Sequence, residues 1–218
     1  MMSLTQLLTS DSRKIKANWV TKPKPVIGPN AVTQLLSALR HDAEPDLVQR
    51  VLATAEVTNW ADWPPAHMID ERPVAAFHRA TRLLLGAERS DRVLADAGRR
   101  TADYILANRI PRAARHVLKA LPARMSAHIL ARAIAAHAWT FAGSGRFACT
   151  GVDGLSFEIW GNPLCSGEDS STPLCVWHAA VFKRLYQTLV SPKAIAVETH
   201  CLARGDACCR FAVRGIRK

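Results

Sequence analysis

From Pro29 to Phe141 apolar residues return at every third or fourth position; beyond Phe141 they alternate singly or fall in short runs broken by glycine. This change of period limits the fold more than any other feature. A stripe with a 3.6-residue repeat buries one face of a helix, and a two-residue alternation buries one face of a strand. In the first region "GPNAVTQLLSALRHD" places Pro29 at a helix start, with Val32, Leu35, Leu36 and Leu39 on one side. "EPDLVQRVLATAEV" repeats the arrangement, with Pro45 ahead of Leu47, Val48, Val51, Leu52 and Ala55. A third helix runs from about Asp70 to Gly86, and a fourth is capped by Ser90 or Asp91. Pro111 and Pro122 divide the rest into a short helix and a longer one, "ARMSAHILARAIAAHAWTF".

The second region mixes strands with one helix. "GSGRFACTGVDGLSFEIWGNP" reads as a hairpin turning at Asp153-Gly154. "TPLCVWHAAVFKRLYQTLV" is helical, opened by Thr172 and Pro173, and "KAIAVETHCLA" and "ACCRFAVRGI" are strands joined at Arg204-Gly205-Asp206. The expected architecture is α+β, with helices packed against one face of an antiparallel sheet. Residues 1–25, containing "TKPKP", are expected to form a flexible basic arm ahead of a single α+β domain over residues 26–218.

The N-terminal stretch lacks the apolar core of a signal peptide, and no run of 18 uncharged apolar residues occurs, so a cytoplasmic location with reduced thiols is expected. The six cysteines then read as free thiols or metal ligands. The net charge of +11 comes mainly from arginine, and between Arg72 and Arg132 only Glu88, Asp91, Asp96 and Asp103 oppose it. Such a surface attracts anions, including acidic lipid headgroups, acidic partner proteins and carboxylate-bearing ligands; it is equally the pattern of a solvated basic face. No DNA-binding motif accompanies the charge, so DNA is not an expected partner.

The segment "VETHCLARGDACCRF" gathers three cysteines, Glu198 and His200 around one Gly-Asp turn. If Arg204-Gly205-Asp206 is a three-residue loop, Ala203 faces Ala207, Leu202 faces Cys208 and Cys201 faces Cys209. The Cys201 and Cys209 thiols then lie side by side, at a spacing that suits two ligands of one zinc ion, and Cys208 points to the opposite face. Glu198, three residues before Cys201, is on the wrong face unless a bulge re-aims it. Cys175 could reach the hairpin from the preceding helix. The plainer reading is a set of buried apolar thiols.

The segment from about Gly154 to Val213, with Cys175 on a helix followed by "VETHCLARGDACCRFAV", resembles the 4-vinyl reductase domain, a small-molecule-binding module. In related aromatic-sensing domains one Cys, one Glu and two further Cys hold zinc. The resemblance assigns those roles to Cys175, Glu198, Cys201 and Cys209. Over roughly residues 20–215 the chain is also similar to the bacteriochlorophyll 4-vinyl reductase family of purple photosynthetic bacteria. That similarity implies a role at or near the C8 vinyl group of a divinyl tetrapyrrole. It also implies the fold of the trafficking-complex and nitric-oxide-sensor ligand-binding superfamily, with helices on one face of a twisted antiparallel sheet, often as a homodimer.

The sequence shows no source of hydride. "GSGRFA" lacks the third glycine of a dinucleotide fingerprint and leads into a strand, so it reads as a turn. No βαβ alternation for NAD(P)H or flavin is present, and Cys165, Cys175, Cys201 and Cys209 do not have iron–sulfur spacing. Zinc is redox-inert, so a zinc ion here is structural. The expected function is therefore a carrier that binds a protochlorophyllide-like or Mg-porphyrin intermediate and presents it to other bacteriochlorophyll-pathway enzymes. A genuine vinyl reductase and an interaction scaffold are the alternatives. A flat apolar disc with carboxylate tails and a central metal asks for aromatic walls, arginine and neutral imidazole. The candidate ligand-binding residues are His137, Trp160, Trp177, His178 and Arg132, each of which could equally be an ordinary core or surface residue. Through acidic partners the protein could also lie peripheral to the membrane.

Overall fold

A computed structural model describes residues 25–151 and 155–217. The expected arm falls outside them except for Pro25, as does the Asp153-Gly154 turn. The chain opens with the short strand β1 (Val26–Ile27), α1 (Asn30–Asp42), α2 (Pro45–Thr54) and β2 (Ile69–Asp70). Four helices follow: α3 (Glu71–Leu85), α4 (Ala87–Asn108), α5 (Arg112–Ala120) and α6 (Ala123–Ala136). The remainder is β3 (Arg146–Thr150), β4 (Ser156–Trp160), α7 (Val176–Leu189), β5 (Ile195–His200) and β6 (Cys209–Arg214).

The fold is α+β. β1 and β2 form a small antiparallel pair, and the main sheet is antiparallel with order β3-β4-β6-β5. β6 therefore lies between β4 and β5. α7 packs on the β5–β6 half of the sheet, α4 lies along α7, and α1 packs on α4. The interior between α7 and the sheet is aromatic. Phe182 meets Phe157 with ring centroids 4.9 Å apart and Phe211 at 5.4 Å, and Phe147 lies 5.7 Å from Phe157. Tyr186 is fully buried and donates its hydroxyl proton to the Ala127 carbonyl at 3.0 Å, tying α7 to α6.

Helix starts follow local chemistry. The Asp70 carboxylate accepts the Arg72 amide at the head of α3, Pro45 occupies the first turn of α2, and Pro111 and Pro122 sit just ahead of α5 and α6. Three boundaries differ from the sequence reading. α4 begins at Ala87, before Ser90, because Gly86 at φ 72° ends α3 and opens α4 with almost no linker. α6 ends at Ala136 and continues as a tighter turn over Ala138–Thr140, so the regular 100° stepping does not reach Phe141. α7 starts at Val176, which leaves Cys175 as its cap residue.

α4 and α7 cross at Gly98. A Cβ built there meets the Trp177 carbonyl oxygen at 2.5 Å and the Ala180 Cβ at 2.6 Å. Replacing this glycine by alanine normally adds about 1 kcal/mol of helix propensity. Here the overlap falls on backbone and a short side chain that cannot swing away, so overpacking of about 1–3 kcal/mol dominates. Gly98→Ala is expected to lower the thermal midpoint by several degrees, whereas Ala133→Gly on the exposed side of α6 changes it only by the ordinary propensity loss; calorimetry of both variants checks this.

Candidate metal centre

Four cysteines from four separate segments meet at the start of α7. Cys175 caps α7, Cys201 follows β5, Cys209 opens β6, and Cys165 closes a short 3₁₀ turn, Pro163–Cys165, after β4. All four are buried, and their sulfurs lie within 4.8 Å of one another. The Cys209 sulfur is 3.4 Å from those of Cys165 and Cys175. Four thiolates at about 2.3 Å from a tetrahedral zinc are about 3.8 Å apart, so this donor set fits a thiophilic cation with only small adjustment. Four buried thiols without a disulfide in that volume could hold a metal ion.

Each sulfur is positioned by its neighbours. Asn162, fully buried, accepts the Leu164 amide through Oδ1 and so closes the turn carrying Cys165; its Nδ2 donates to the Cys175 sulfur at 3.2 Å. The Leu174 amide donates to the Cys201 sulfur at 3.5 Å. Such N–H donors support the thiolate form and hold each sulfur in the orientation a metal needs. The loop between β5 and β6 is longer than a three-residue turn. Leu202–Arg204 form a 3₁₀ turn, Gly205 is left-handed at φ 84°, and Asp206 accepts the Cys201 amide at 2.8 Å. The expected pairs Ala203–Ala207 and Leu202–Cys208 are absent from the sheet, since pairing with β5 starts at Arg210. The Cys201 and Cys209 sulfurs nonetheless meet.

Glu198 has a different position from the thiols. It faces Phe211 while His200 faces Arg210, so one extra residue forms a bulge between them, as its spacing from Cys201 requires. The bulge turns Glu198 toward the head of α7, where Oε2 accepts the Cys175 amide at 2.7 Å. Oε1 is buried without a partner among the described residues. The gathered set of four therefore contains Cys165 alongside Cys175, Cys201 and Cys209, with Glu198 buttressing the backbone of Cys175. Burial, and then the charges of Cys201 and Cys209, push the Glu198 carboxyl up to about 10. Hydrogen bonds from Cys165 and the other two thiols hold Cys201 well below its ordinary value, while Cys175 and Cys209 are raised. Without a cation the cluster thus concentrates its negative charge on one sulfur. Cys208 lies outside the group, raised to about 11 by burial.

The five candidate ligand residues do not converge. Trp177 and His178 border a cavity of about 60 Å³, walled also by Gly28, Asn30, Thr140 and Phe141. His178 is 1% exposed, and burial lowers its ring to about 4. Trp160 lies on β4 and donates to Glu158 at 3.2 Å. Arg132 and His137 are exposed on α6 and just past its end, and the His137 ring bonds the Ala133 carbonyl at 2.8 Å. The expected apolar stripe through His137 fails because the helix stops one residue earlier. Two features escaped the sequence reading. Cys165 has no ligand-like spacing to its partners; its only local signal is the Asn-Pro turn before it. Buried Glu158, held by Arg210 at 2.8 Å and Thr150 at 3.1 Å, is a single acid in an alternating strand and carries no local sign of its partners.

The glycine turn Gly143-Ser144-Gly145 is closed by Glu71. Its carboxylate accepts both the Ser144 amide and the Ser144 hydroxyl, and a Cβ at Gly143 would meet the same carboxylate. The backbone donors that a phosphate cradle needs are already used.

A helix-backed antiparallel sheet with a cysteine cluster at its last strand pair defines a protein of the 4-vinyl reductase domain class, and residues 155–215 match that domain family. Two relatives extend the likeness over most of the chain. The "Bacteriochlorophyll synthase 23 kDa chain" of Cereibacter sphaeroides is 48% identical over 185 residues, covering 85% of this chain and 88% of the relative. The protein of the same name from Rhodobacter capsulatus is 42% identical over 193 residues, covering 87% of each. The chain belongs to the family of these bacteriochlorophyll synthase 23 kDa chains.

Two buried imidazoles make stability depend on acid. His78, 1% exposed and bonded to the Ala31 carbonyl at 3.0 Å, is lowered to about 3 by burial and then by Arg82; His178 is lowered to about 4 by burial. Both stay neutral in the folded chain while the unfolded chain takes up protons near 6.5. Their contribution is full above that pH and is lost as pH falls below it toward the folded values, by about 2 kcal/mol for each ring between about pH 7.5 and 5.0. Denaturant unfolding at those two pH values is expected to show this loss, with roughly half of it absent in His178→Phe.

Proposed function

We propose that this protein serves bacteriochlorophyll synthesis as a pigment carrier. It binds a divinyl tetrapyrrole, protochlorophyllide-like or Mg-porphyrin, and passes it to pathway enzymes without reducing the vinyl group. The role in the pathway is supported by kinship with chains named for bacteriochlorophyll synthase. The observation that carries the carrier reading is the Glu71-filled glycine turn, which removes the best phosphate cradle the sequence offers to a nicotinamide cofactor.

In this reading zinc is the ion held by the thiols, and its chemistry is to neutralise and cross-link thiolates. Cys165, Cys175, Cys201 and Cys209 hold it, and Glu198 fixes the backbone of Cys175. His178 is the residue assigned to the pigment's central metal, since a neutral imidazole keeps a lone pair at physiological pH. Sites for drug-sized molecules occupy about 300–1,000 Å³. The 60 Å³ space beside His178 must therefore widen, by displacement of the wall around Thr140 and Phe141, to admit a macrocycle edge. Trp177 lines that edge, and Trp160, Arg132 and His137 remain available to the pigment's periphery. Association as a homodimer belongs to the same proposal and is read by light scattering.

Titration of the purified protein with divinyl protochlorophyllide, with and without NADPH, tests the function. The expected result is a shifted absorbance band, abolished in His178→Ala, with the divinyl species intact. Its loss on adding NADPH establishes vinyl reduction instead, and an unchanged spectrum establishes a scaffold without pigment affinity. Elemental analysis tests the metal: about one zinc per chain, lost in Cys165→Ala and Cys209→Ala but kept in Glu198→Gln. The reverse pattern for Cys165 and Glu198 gives the ligand set Cys175, Glu198, Cys201 and Cys209.

A further inference from the structure

The outer face of the α5–α6 hairpin is unlike the rest of the surface. Between Asp103 and Asp153 the chain has seven lysines and arginines and no acidic residue. Four large apolar side chains protrude there: Val117 at 57% exposure, Met125 at 53%, Ile129 at 45% and Trp139 at 41%. On α6 the core side is complete without them, since Ser126, Ala127, Leu130, Ala131, Ile134 and Ala135 are the buried positions. Met125, Ile129, Ala133 and Ala136 recur at three- and four-residue steps on the opposite, exposed side. Arg132 stands seven residues from Met125 on that same side, with His128 beside it. Arg112, Arg124 and Arg132 form no ion pair among the described residues, whereas the arginines of α3 and α4 mostly do. The hairpin is a fixed platform: the Ser126 hydroxyl bonds the Leu118 carbonyl at 2.8 Å and the Leu189 carbonyl at 3.3 Å, joining α5, α6 and the end of α7.

We propose that this face rests on a bilayer containing acidic lipids. The protruding apolar side chains enter the headgroup–acyl boundary, and the flanking arginines meet lipid phosphates. The mixture of side chains selects this occupant. A nucleic-acid backbone has no use for an apolar stripe, and the centre of a protein interface is depleted of charge. Here Arg132 sits within the stripe itself, which a phosphate-rich interface accepts. No helix among the described residues is long and apolar enough to cross a membrane, so the contact is lateral. This proposal is independent of pigment binding and of the thiol cluster.

Sedimentation of the full chain with vesicles tests it, using phosphatidylcholine alone and phosphatidylcholine with a third phosphatidylglycerol. Binding is expected only to the acidic vesicles and to weaken with salt. Each cation removed should weaken it about fivefold, so Arg124→Gln with Arg132→Gln should cost roughly 25-fold. Met125→Ser with Ile129→Ser should also reduce binding, while pigment titration and melting temperature match the parent in both double variants. The proposal is overturned if the double variants bind like the parent, which puts the contact elsewhere on the chain. It is equally overturned if neither vesicle binds, or if the protein is retained only by DNA or an acidic protein.

Discussion

Four sulfurs at the head of α7 hold together segments that would otherwise share few contacts. The turn after β4, the cap of α7, the end of β5 and the start of β6 all arrive there. Apolar burial alone does not explain the convergence, because a thiol is a small hydrophobe and four of them make few dispersion contacts. Polar groups also point inward: Asn162 donates to one sulfur and the Leu174 amide to another. A cluster that draws N–H donors and raises a neighbouring carboxyl is arranged around negative charge, and a divalent cation supplies the balance. The position of α7 against the sheet, and so the place of Trp177 and His178, depends on that balance.

Function follows from what the staple leaves rigid and what it leaves open. α7 is fixed at its head by the cysteines and along its length by Phe182, Tyr186 and the close crossing at Gly98. The opposite wall of the small cavity comes from turns, around Gly28 and Thr140–Phe141, with few side chains to lock it. A ligand site with one rigid wall and one yielding wall suits a carrier, which must release what it binds. The same division places the α5–α6 platform on the outside of the molecule, near the yielding wall at Trp139–Phe141.

Much of this was readable from residue order. The change in period at Phe141 separated helices from strands, the prolines marked α5 and α6, and the Glu198–Cys201 spacing required the bulge that the sheet contains. Cys175, Cys201 and Cys209 could be grouped because a hairpin and a preceding helix place them locally. Cys165 could not, because its approach depends on how the turn after β4 folds over the sheet, which no local period encodes. The stripe through His137 broke for the opposite reason: a helical period was extended past the residue where the helix tightens. The candidate pigment residues scattered because aromatic and imidazole side chains serve cores and surfaces as readily as pockets.

The sheet order has a consequence for how the chain acquires its structure. β4 and β5 are made first, yet neither is bonded to the other; both wait for β6, the latest of the four strands to be synthesised, to slide between them. Until it arrives, two unsatisfied strand edges and three of the four thiols stand open to chaperones and to stray metal. Cys209 is the first residue of that final strand, so ion capture and sheet closure fall at the same moment of biogenesis.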